Sequence, residues 1–198
     1  MAANRDLLVR ARGGSEQLGK LLKSMSEASR LEQSIAAAEF QPIDLAQWLE
    51  DLTGVYRDIY PLWDFHCSRP EAPVPADVVP ELLLQALDKL VSNSTDFTAT
   101  GATIVLELTT NGTAAELSVE NPGSQLPESI RNSLFDPMVS SRAAASGLPQ
   151  SDATVPHLGL GLYIVRLVAE CHRGTPNARN IPGGVHIGFS LQKFPATK

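Results

Sequence analysis

The stretch that decides the fold is DKLVSNS, residues Asp88–Ser94. It lies inside an apolar run in which leucine, alanine and valine recur at helical spacing, so the run predicts a buried helix. We expect this helix to begin at Pro80, because the fixed φ and missing N–H of proline suit the first turn. It should end near Phe97. A chain of 198 residues can supply the core that such a helix needs within one domain.

Three polar residues share one face of this helix, because Lys89, Asn93 and Asp96 are spaced four and three apart. A short neutral amide that faces inward can give its carbonyl oxygen to a hard cation such as Mg2+. The ordinary alternative is a polar face in solvent. We favour the ligand role because two further segments of the chain carry the chemistry of the same kind of site.

These two segments place glycine where a backbone must pass close to a ligand. The first is VENPGSQ, residues Val119–Gln125, followed by LFDP, residues Leu134–Pro137. The second is HLGLGLYIV, residues His157–Val165, which opens a helix predicted over Leu158–Cys171. A helix N-terminus carries unpaired N–H groups and a partial positive charge, so it is a ready site for phosphate. Taken alone, a Pro-Gly pair is typical of a turn, and a single Gly-x-Gly is a weak signal.

In this order and spacing the segments resemble the N, G1, F and G2 boxes of the histidine-kinase ATP-binding domain, which belongs to the GHKL or Bergerat-fold superfamily. The resemblance runs from about Leu18 to the C-terminus. It implies an α/β (α+β) two-layer sandwich, in which helices pack on one face of a mixed sheet, plus an N-terminal amphipathic helix. It also implies ATP and Mg2+ as cofactors, with Asn93 as the metal ligand.

The nucleotide-binding residues that the resemblance implies come from these boxes and from the loop before the last helix: Lys89, Asn93, Asp96, Asn121, Gly123, Arg142, Leu158, Gly159, Leu160 and Gly161. Asn121 would accept a hydrogen bond from the adenine amino group. Residues Val139–Pro156 would form the lid over the nucleotide, anchored by Leu134-Phe135. Arg142, the one cation of that lid, would reach a phosphate or stay in solvent.

The sequence departs from the family pattern in both of the first two boxes. Lys89 stands where gyrase-like members have the glutamate that activates water, so no general base is evident and ATP hydrolysis is disfavoured. Kinase domains usually have Asn there and often Lys at the position of Asp96, so we expect the two charges to have exchanged places. Asn121 replaces the Asp of the family and Gln125 its second Gly. This predicts weaker adenine binding, because charge-assisted hydrogen bonds are roughly twice as strong.

The N-terminal region carries apolar residues three and four apart, which predicts an amphipathic helix over Ser15–Ile35. It resembles the second helix of the kinase dimerisation hairpin, and a second helix or a second copy would cover its apolar stripe. None of the four histidines has the context of a phosphoacceptor, so we expect the acceptor on a first helix that precedes Met1. We therefore divide the chain into a partial dimerisation helix, residues 1–37, and an ATP-binding catalytic domain, residues 38–198.

The remaining elements alternate without a regular βαβ rhythm, which favours a sandwich. Strands are predicted at Phe40–Leu45, Trp63–Ser68, Thr103–Leu108, Glu116–Val119 and Val185–Leu191. Asp44 should cap a helix that runs to about Tyr60, and Asn111-Gly112 should close a hairpin. Pro127–Leu134 predicts a short helix, and the proline-rich stretch Arg69–Pro75 a loop or sheet edge.

Composition argues against several classes of function. The net charge is −6 and Lys and Arg form no long run, so nucleic acid is not expected as a partner. No apolar run approaches the roughly 20 residues of a membrane span, and the polar N-terminus is unlike a signal peptide. Cys67 and Cys171 stand in unrelated contexts, which favours two free buried thiols over a structural disulfide.

The leading hypothesis is the ATP-binding catalytic domain of a two-component sensor histidine kinase, which positions Mg-ATP for phosphorylation of a histidine outside this chain. Its expected partners are the dimerisation helix of the full-length kinase, as a homodimer, and a response regulator. The chain would be the cytoplasmic portion of an inner-membrane sensor. Two alternatives stay open: a non-catalytic nucleotide-sensing pseudokinase or interaction domain, and an anti-sigma-type serine kinase. The N-terminal helix speaks against the second of these.

Overall fold

The computed structural model describes residues 19, 26, 29–131, 133–137 and 160–193. Within these residues, the strands in chain order are β1 Gln41–Asp44, β2 Asp64–Ser68, β3 Pro75–Val78, β4 Thr103–Asn111, β5 Ala114–Pro122, β6 Pro176–Ile181 and β7 Gly184–Gln192. The helices that follow β1 are α1 Leu45–Ile59, α2 Pro80–Phe97, α3 Glu128–Arg131 and α4 Gly161–Cys171. None of these helices is both long and apolar enough to cross a membrane.

The main sheet has five strands in the order β2-β4-β5-β7-β6. Strands β2 and β4 are parallel, and the other neighbouring pairs are antiparallel. Residues of the inward face, such as Leu106 and Leu117, are buried against helices α1, α2 and α4. The predicted class, a mixed sheet with helices packed on one face, is therefore confirmed.

Most predicted elements are confirmed, and several are longer than their apolar pattern. Helix α2 runs from Pro80 to Phe97 as predicted. Strands β4 and β5 pair as far as Asn111 and Ala114, and the turn between them places Gly112 at a φ of 57°, which favours glycine. Of the short helix predicted over Pro127–Leu134, the described residues show the four residues of α3.

Two strands were not predicted. Strand β3 begins at the end of the proline-rich stretch for which the sequence predicts a loop or edge, and it pairs with β1 in a separate two-stranded sheet. Pro75 stands at its first residue, a position where a missing N–H is tolerated. Strand β6 lies at the edge of the main sheet and is half-buried along most of its length, so it shows no alternation of apolar and polar residues.

The predicted cap at Asp44 is confirmed and links two parts of the chain. Its Oδ1 accepts hydrogen bonds from the N–H of Ala46 at 3.0 Å and from that of Val74 at 2.8 Å. The first bond satisfies a free N–H group of helix α1. The second fixes the loop that leads into β3, which a local sequence pattern cannot reveal.

A buried histidine holds the end of α4 against the start of α2. His172 is 1% exposed, its Nδ1–H donates to the carbonyl of Val168 at 2.8 Å, and its Nε2 accepts from the N–H of Val79 at 3.0 Å. Burial lowers the pKa of His172, although the bond to Val168 acts in the opposite direction. Val79 is the cap residue of α2, so this side chain sets the relative position of the two helices.

Helical residues also precede β1, at 19, 26 and 29–36. Leu31 is 2% exposed and belongs to the core, and Ile35 packs partly against it. At Leu31 the cover therefore comes from the domain of the same chain, whereas a second helix or copy was expected. The predicted helix start at Ser15 and most of its apolar stripe lie outside the described residues.

Both cysteines are free, as predicted, and each is half-buried. Burial raises the pKa of the Cys67 thiol and that of the Cys171 thiol. A raised pKa keeps these thiols protonated and unreactive at neutral pH. Neither cysteine is therefore a candidate nucleophile.

Candidate nucleotide-binding site

Lys89 lies where helix α2 meets the start of helix α4. A β-carbon added at Gly161 would lie 3.8 Å from Cδ of Lys89 and 3.9 Å from its Cβ. The aliphatic stem of the half-buried lysine therefore runs along the first residue of α4. Two of the predicted boxes, distant in the sequence, are brought together by this contact.

The start of α4 has the properties of an anion site. Leu160 is its cap residue, is 7% exposed, and offers no side-chain hydrogen bond to the first N–H groups. Free N–H groups at a helix N-terminus carry a partial positive charge. The stem of a cationic side chain runs alongside this helix end, a combination that suits phosphate.

Asn93 and Asp96 follow Lys89 on helix α2 but differ in exposure. Asn93 is half-buried, one turn after Lys89, whereas Asp96 is exposed in the last turn. An amide oxygen at a half-buried position beside a phosphate site fits the hard oxygen ligands that Mg2+ prefers. On this face of α2 the lysine lies against the start of α4, the amide is half-buried, and the carboxylate is exposed.

Asn121 is 5% exposed on the inward face at the end of β5. Its Nδ2 donates to Oγ1 of Thr98 at 2.9 Å and to the carbonyl of Pro122 at 3.2 Å. Since both contacts use the amide N–H groups, the role of hydrogen-bond acceptor falls to Oδ1. Oδ1 is the atom that the predicted contact with an adenine amino group requires.

Thr98 was not among the predicted site residues, although it orients the one proposed for adenine. It ends helix α2, is 7% exposed, and its Oγ1 also lies 3.3 Å from the carbonyl of Pro122. Its own carbonyl accepts from Nε1 of Trp63 at 3.2 Å. No local pattern signals this role, because the hydrogen bond joins the C-terminal end of a helix to the end of a strand 23 residues later.

The backbone conformation requires a glycine at Gly123, with or without a bound ligand. Its φ is 148°, and a β-carbon there would lie 2.9 Å from the carbonyl oxygen of Phe97. Its N–H donates to the carbonyl of Gly183 at 3.0 Å. The chain after β5 therefore passes directly over the end of α2, which brings the second box to the first.

Arg166 joins the segment that precedes the predicted lid to helix α4. Its Nη1 lies 2.9 Å from Oδ1 of Asp136, and its Nε lies 2.8 Å from Oε1 of Glu170. Leu134 in the same segment is 3% exposed, and Phe135 packs against the core. The hydrogen bond to Glu170 raises the pKa of Arg166, and the negative charges of Glu170 and Asp136 act in the same direction, so the guanidinium stays charged.

Four of the predictions cannot be placed. Arg142, Leu158 and Gly159 lie outside the described residues, as does the predicted lid Val139–Pro156. The other seven predicted site residues are described. They lie on α2, at the end of β5 and just beyond it, and at the start of α4.

Residues 78–197 match the family of histidine kinase-, DNA gyrase B- and HSP90-like ATPases. The chain belongs to this family. It is 30% identical to the sensor protein ChvG of Rhizobium meliloti (strain 1021) over 176 residues, which cover 84% of this chain and 30% of ChvG. The chain thus spans less than a third of that relative.

Solved structures show the same fold for this ATPase-family chain. The catalytic domain of the histidine kinase ThkA superposes with a TM-score of 0.66 at 23% identity, covering 79% of this chain and 99% of that domain. Full-length ShkA, in complex with AMPPNP, superposes with a TM-score of 0.69 at 19% identity, covering 97% of this chain and 40% of ShkA. The fold is that of histidine-kinase ATP-binding catalytic domains.

Proposed function

We propose that this chain is the ATP-binding catalytic part of a sensor histidine kinase, which presents the γ-phosphate of Mg-ATP to a histidine outside the chain. The observation that carries the proposal is the contact between Lys89 and Gly161. It combines a cation and a helix N-terminus in a family whose members bind ATP. The relatives that match the chain are sensor proteins, which supports the same activity.

Each box supplies one part of the site in this proposal. Lys89 neutralises the phosphates and the N–H groups of Gly159 and Gly161 bind them, while Leu158 and Leu160 belong to the same predicted box. Arg142 adds a second cation. Asp96 replaces the usual lysine at the outer end of α2.

The adenine would be held at the other end of the site. Asn121 accepts from its amino group through Oδ1, since the N–H groups of this amide already bind Thr98 and Pro122. Gly123 lets the backbone approach the base. Because Asn121 is buried, its hydrogen bond to the adenine amino group is stronger than it would be in water. This offsets part of the strength that is lost when a neutral amide replaces a carboxylate.

The protein itself takes part in little covalent chemistry in this reaction. A nitrogen of the acceptor histidine attacks the γ-phosphorus, the bond to the β–γ bridging oxygen breaks, and ADP leaves. Catalysis of this kind consists mostly of positioning and charge neutralisation. When bound, Mg2+ would neutralise phosphate charge, and Asn93 would be its protein ligand.

The same proposal includes the assembly. Residues 1–37 would form the second helix of a dimerisation hairpin, and residues 38–198 the catalytic domain. Two copies would pair through that hairpin in the full-length kinase, and a response regulator would take the phosphoryl group. The chain would face the cytoplasm as part of an inner-membrane sensor.

Radiolabelled ATP tests the proposed activity. Incubated with γ-labelled ATP and Mg2+, the 198-residue chain should take up no label, because none of its histidines is placed as an acceptor. A longer protein that includes the preceding helix should acquire acid-labile label, as phosphohistidine does. Labelling of the short chain, or none of the long one, would contradict the proposal.

A further inference from the structure

The outward face of the main sheet carries a cluster of ionisable side chains, on the side opposite the predicted nucleotide-binding residues. Glu120 on β5 pairs with His186 on β7, which pairs with Arg179 on β6, so the three side chains share one face. The neighbouring residue Asn121 points to the opposite, helix-covered face. The cluster is therefore separated from the proposed adenine site by the thickness of the sheet.

His186 is buried within this polar face. It is 1% exposed, its Nε2 lies 2.9 Å from Oε1 of Glu116, and its Nδ1 lies 2.9 Å from Oε1 of Glu120. A neutral imidazole donates from only one of its nitrogens. When the ring is neutral, one of the two contacts therefore joins two acceptors, and a cation placed between them would relieve the repulsion.

Arg179 shows which contact it is. Its Nη2 lies 3.0 Å from Nδ1 of His186 and 3.7 Å from Oε1 of Glu120. A guanidinium group only donates, so in the tautomer that accepts this bond at Nδ1 the proton is on Nε2, which donates to Glu116. The lone pair of Nδ1 and the carboxylate of Glu120 thus converge on one positive group, the half-exposed guanidinium.

Glu107 on β4 completes a set of metal ligands. One ligand atom each from Glu107, Glu120 and His186 lie within 4.8 Å of one another. The two glutamates are half-buried, so small rotations can bring their oxygens to the roughly 2.0–2.2 Å that Zn2+ requires. Metal-binding histidines usually donate their other N–H to a carboxylate, which is the role that Glu116 already fills.

We propose that Glu107, Glu120 and His186 form a binding site for a divalent transition cation of the Zn2+ class. Glu116 positions the imidazole, and Arg179 occupies the cation position until the metal displaces it. One imidazole with two carboxylates suits Zn2+, whereas Mg2+ prefers an all-oxygen shell with several waters. The site is thus distinct in place and chemistry from the proposed Mg-ATP site.

Calorimetric titration of the 198-residue chain with ZnCl2 tests this site, in buffer that contains MgCl2 but no nucleotide. One saturable site is expected. Glu107→Gln should weaken zinc binding by at least about tenfold, because it removes a ligand and leaves the hydrogen bonds of His186 intact. His186→Gln should abolish binding, and circular dichroism shows whether each variant is folded.

Two further variants distinguish a specific metal site from nonspecific attraction of cations by the carboxylates. His66 binds Asp64 at 2.8 Å on the same face of the sheet, but both are exposed, so His66→Gln should leave the affinity unchanged. Arg179→Gln should keep or raise it, because the competing cation is gone. The proposal is overturned if zinc shows no saturable binding, if Glu107→Gln binds like the parent, or if Arg179→Gln binds less tightly. In that event the cluster is an ion-pair network only.

Discussion

At the scale of single residues, the proposed phosphate site rests mainly on Lys89. The sequence placed it four residues before Asn93, where the family usually has an uncharged amide, and predicted that it had taken over the charge lost at Asp96. In the structure Lys89 lies against Gly161, whereas Asp96 is exposed. The geometry supports a phosphate role for the lysine.

Substitution of Lys89 should affect the phosphates of the nucleotide and not the base. Lys89→Asn is expected to weaken the affinity for ATP by about ten- to a hundredfold, since a charge-assisted contact is worth roughly 1.5–3 kcal/mol. Adenosine should bind to this variant almost as tightly as it binds to the parent. Adding Asp96→Lys should recover part of the loss. Calorimetry measures all three proteins, with Lys193→Asn as the matched control.

Equal loss of ATP and adenosine affinity in Lys89→Asn would mean that the lysine supports the fold of the site instead of the phosphates. Unchanged ATP binding would mean that its charge stays in solvent. Either result would contradict the role proposed for Lys89.

At the scale of elements, the sequence predicted best where pattern and end signals are local. One helix begins at Pro80 and another is capped by Asp44, both as predicted, and Asn111-Gly112 closes the predicted hairpin. Strand β3 was missed because it is defined by pairing with β1, more than thirty residues earlier. The partner of Asn121, Thr98, was missed for the same reason: the bond joins a helix end to a strand.

The junction between α2 and α4 predicts a pH dependence. His172 has an ordinary pKa of 6.5 that burial lowers in the folded protein. The unfolded chain then binds the proton more readily, so stability is complete above about pH 6.5 and falls as the pH drops towards the lowered value. The slope for one proton reaches about 1.4 kcal/mol per pH unit.

Urea unfolding at pH 7.5 and pH 5.5 measures this contribution. The parent should lose more stability between the two values than His172→Gln, which carries no titrating ring. The matched control is His66→Gln, which removes an exposed histidine and should follow the parent. A parent and a His172→Gln variant with the same loss would show that His172 does not limit stability in acid.

At the scale of the whole molecule, one sheet separates two kinds of surface. Its inward face packs against the helices that carry Lys89 and Asn93, and its outward face holds His186 among carboxylates. The order of the boxes made the first face predictable from sequence. The second was not, because Glu120 and His186 are 66 residues apart and meet only through strand pairing.

The central claim, that this chain binds Mg-ATP between α2 and α4, is tested most directly by titrating the 198-residue chain with ATP, with and without MgCl2. We expect one saturable site whose affinity rises with Mg2+. Asn93→Ala should remove most of that rise and leave the Mg2+-free affinity near the parent's, whereas the neighbouring Ser92→Ala should behave like the parent. Absence of binding at millimolar ATP, or an Asn93→Ala variant with the full Mg2+ effect, would contradict the account.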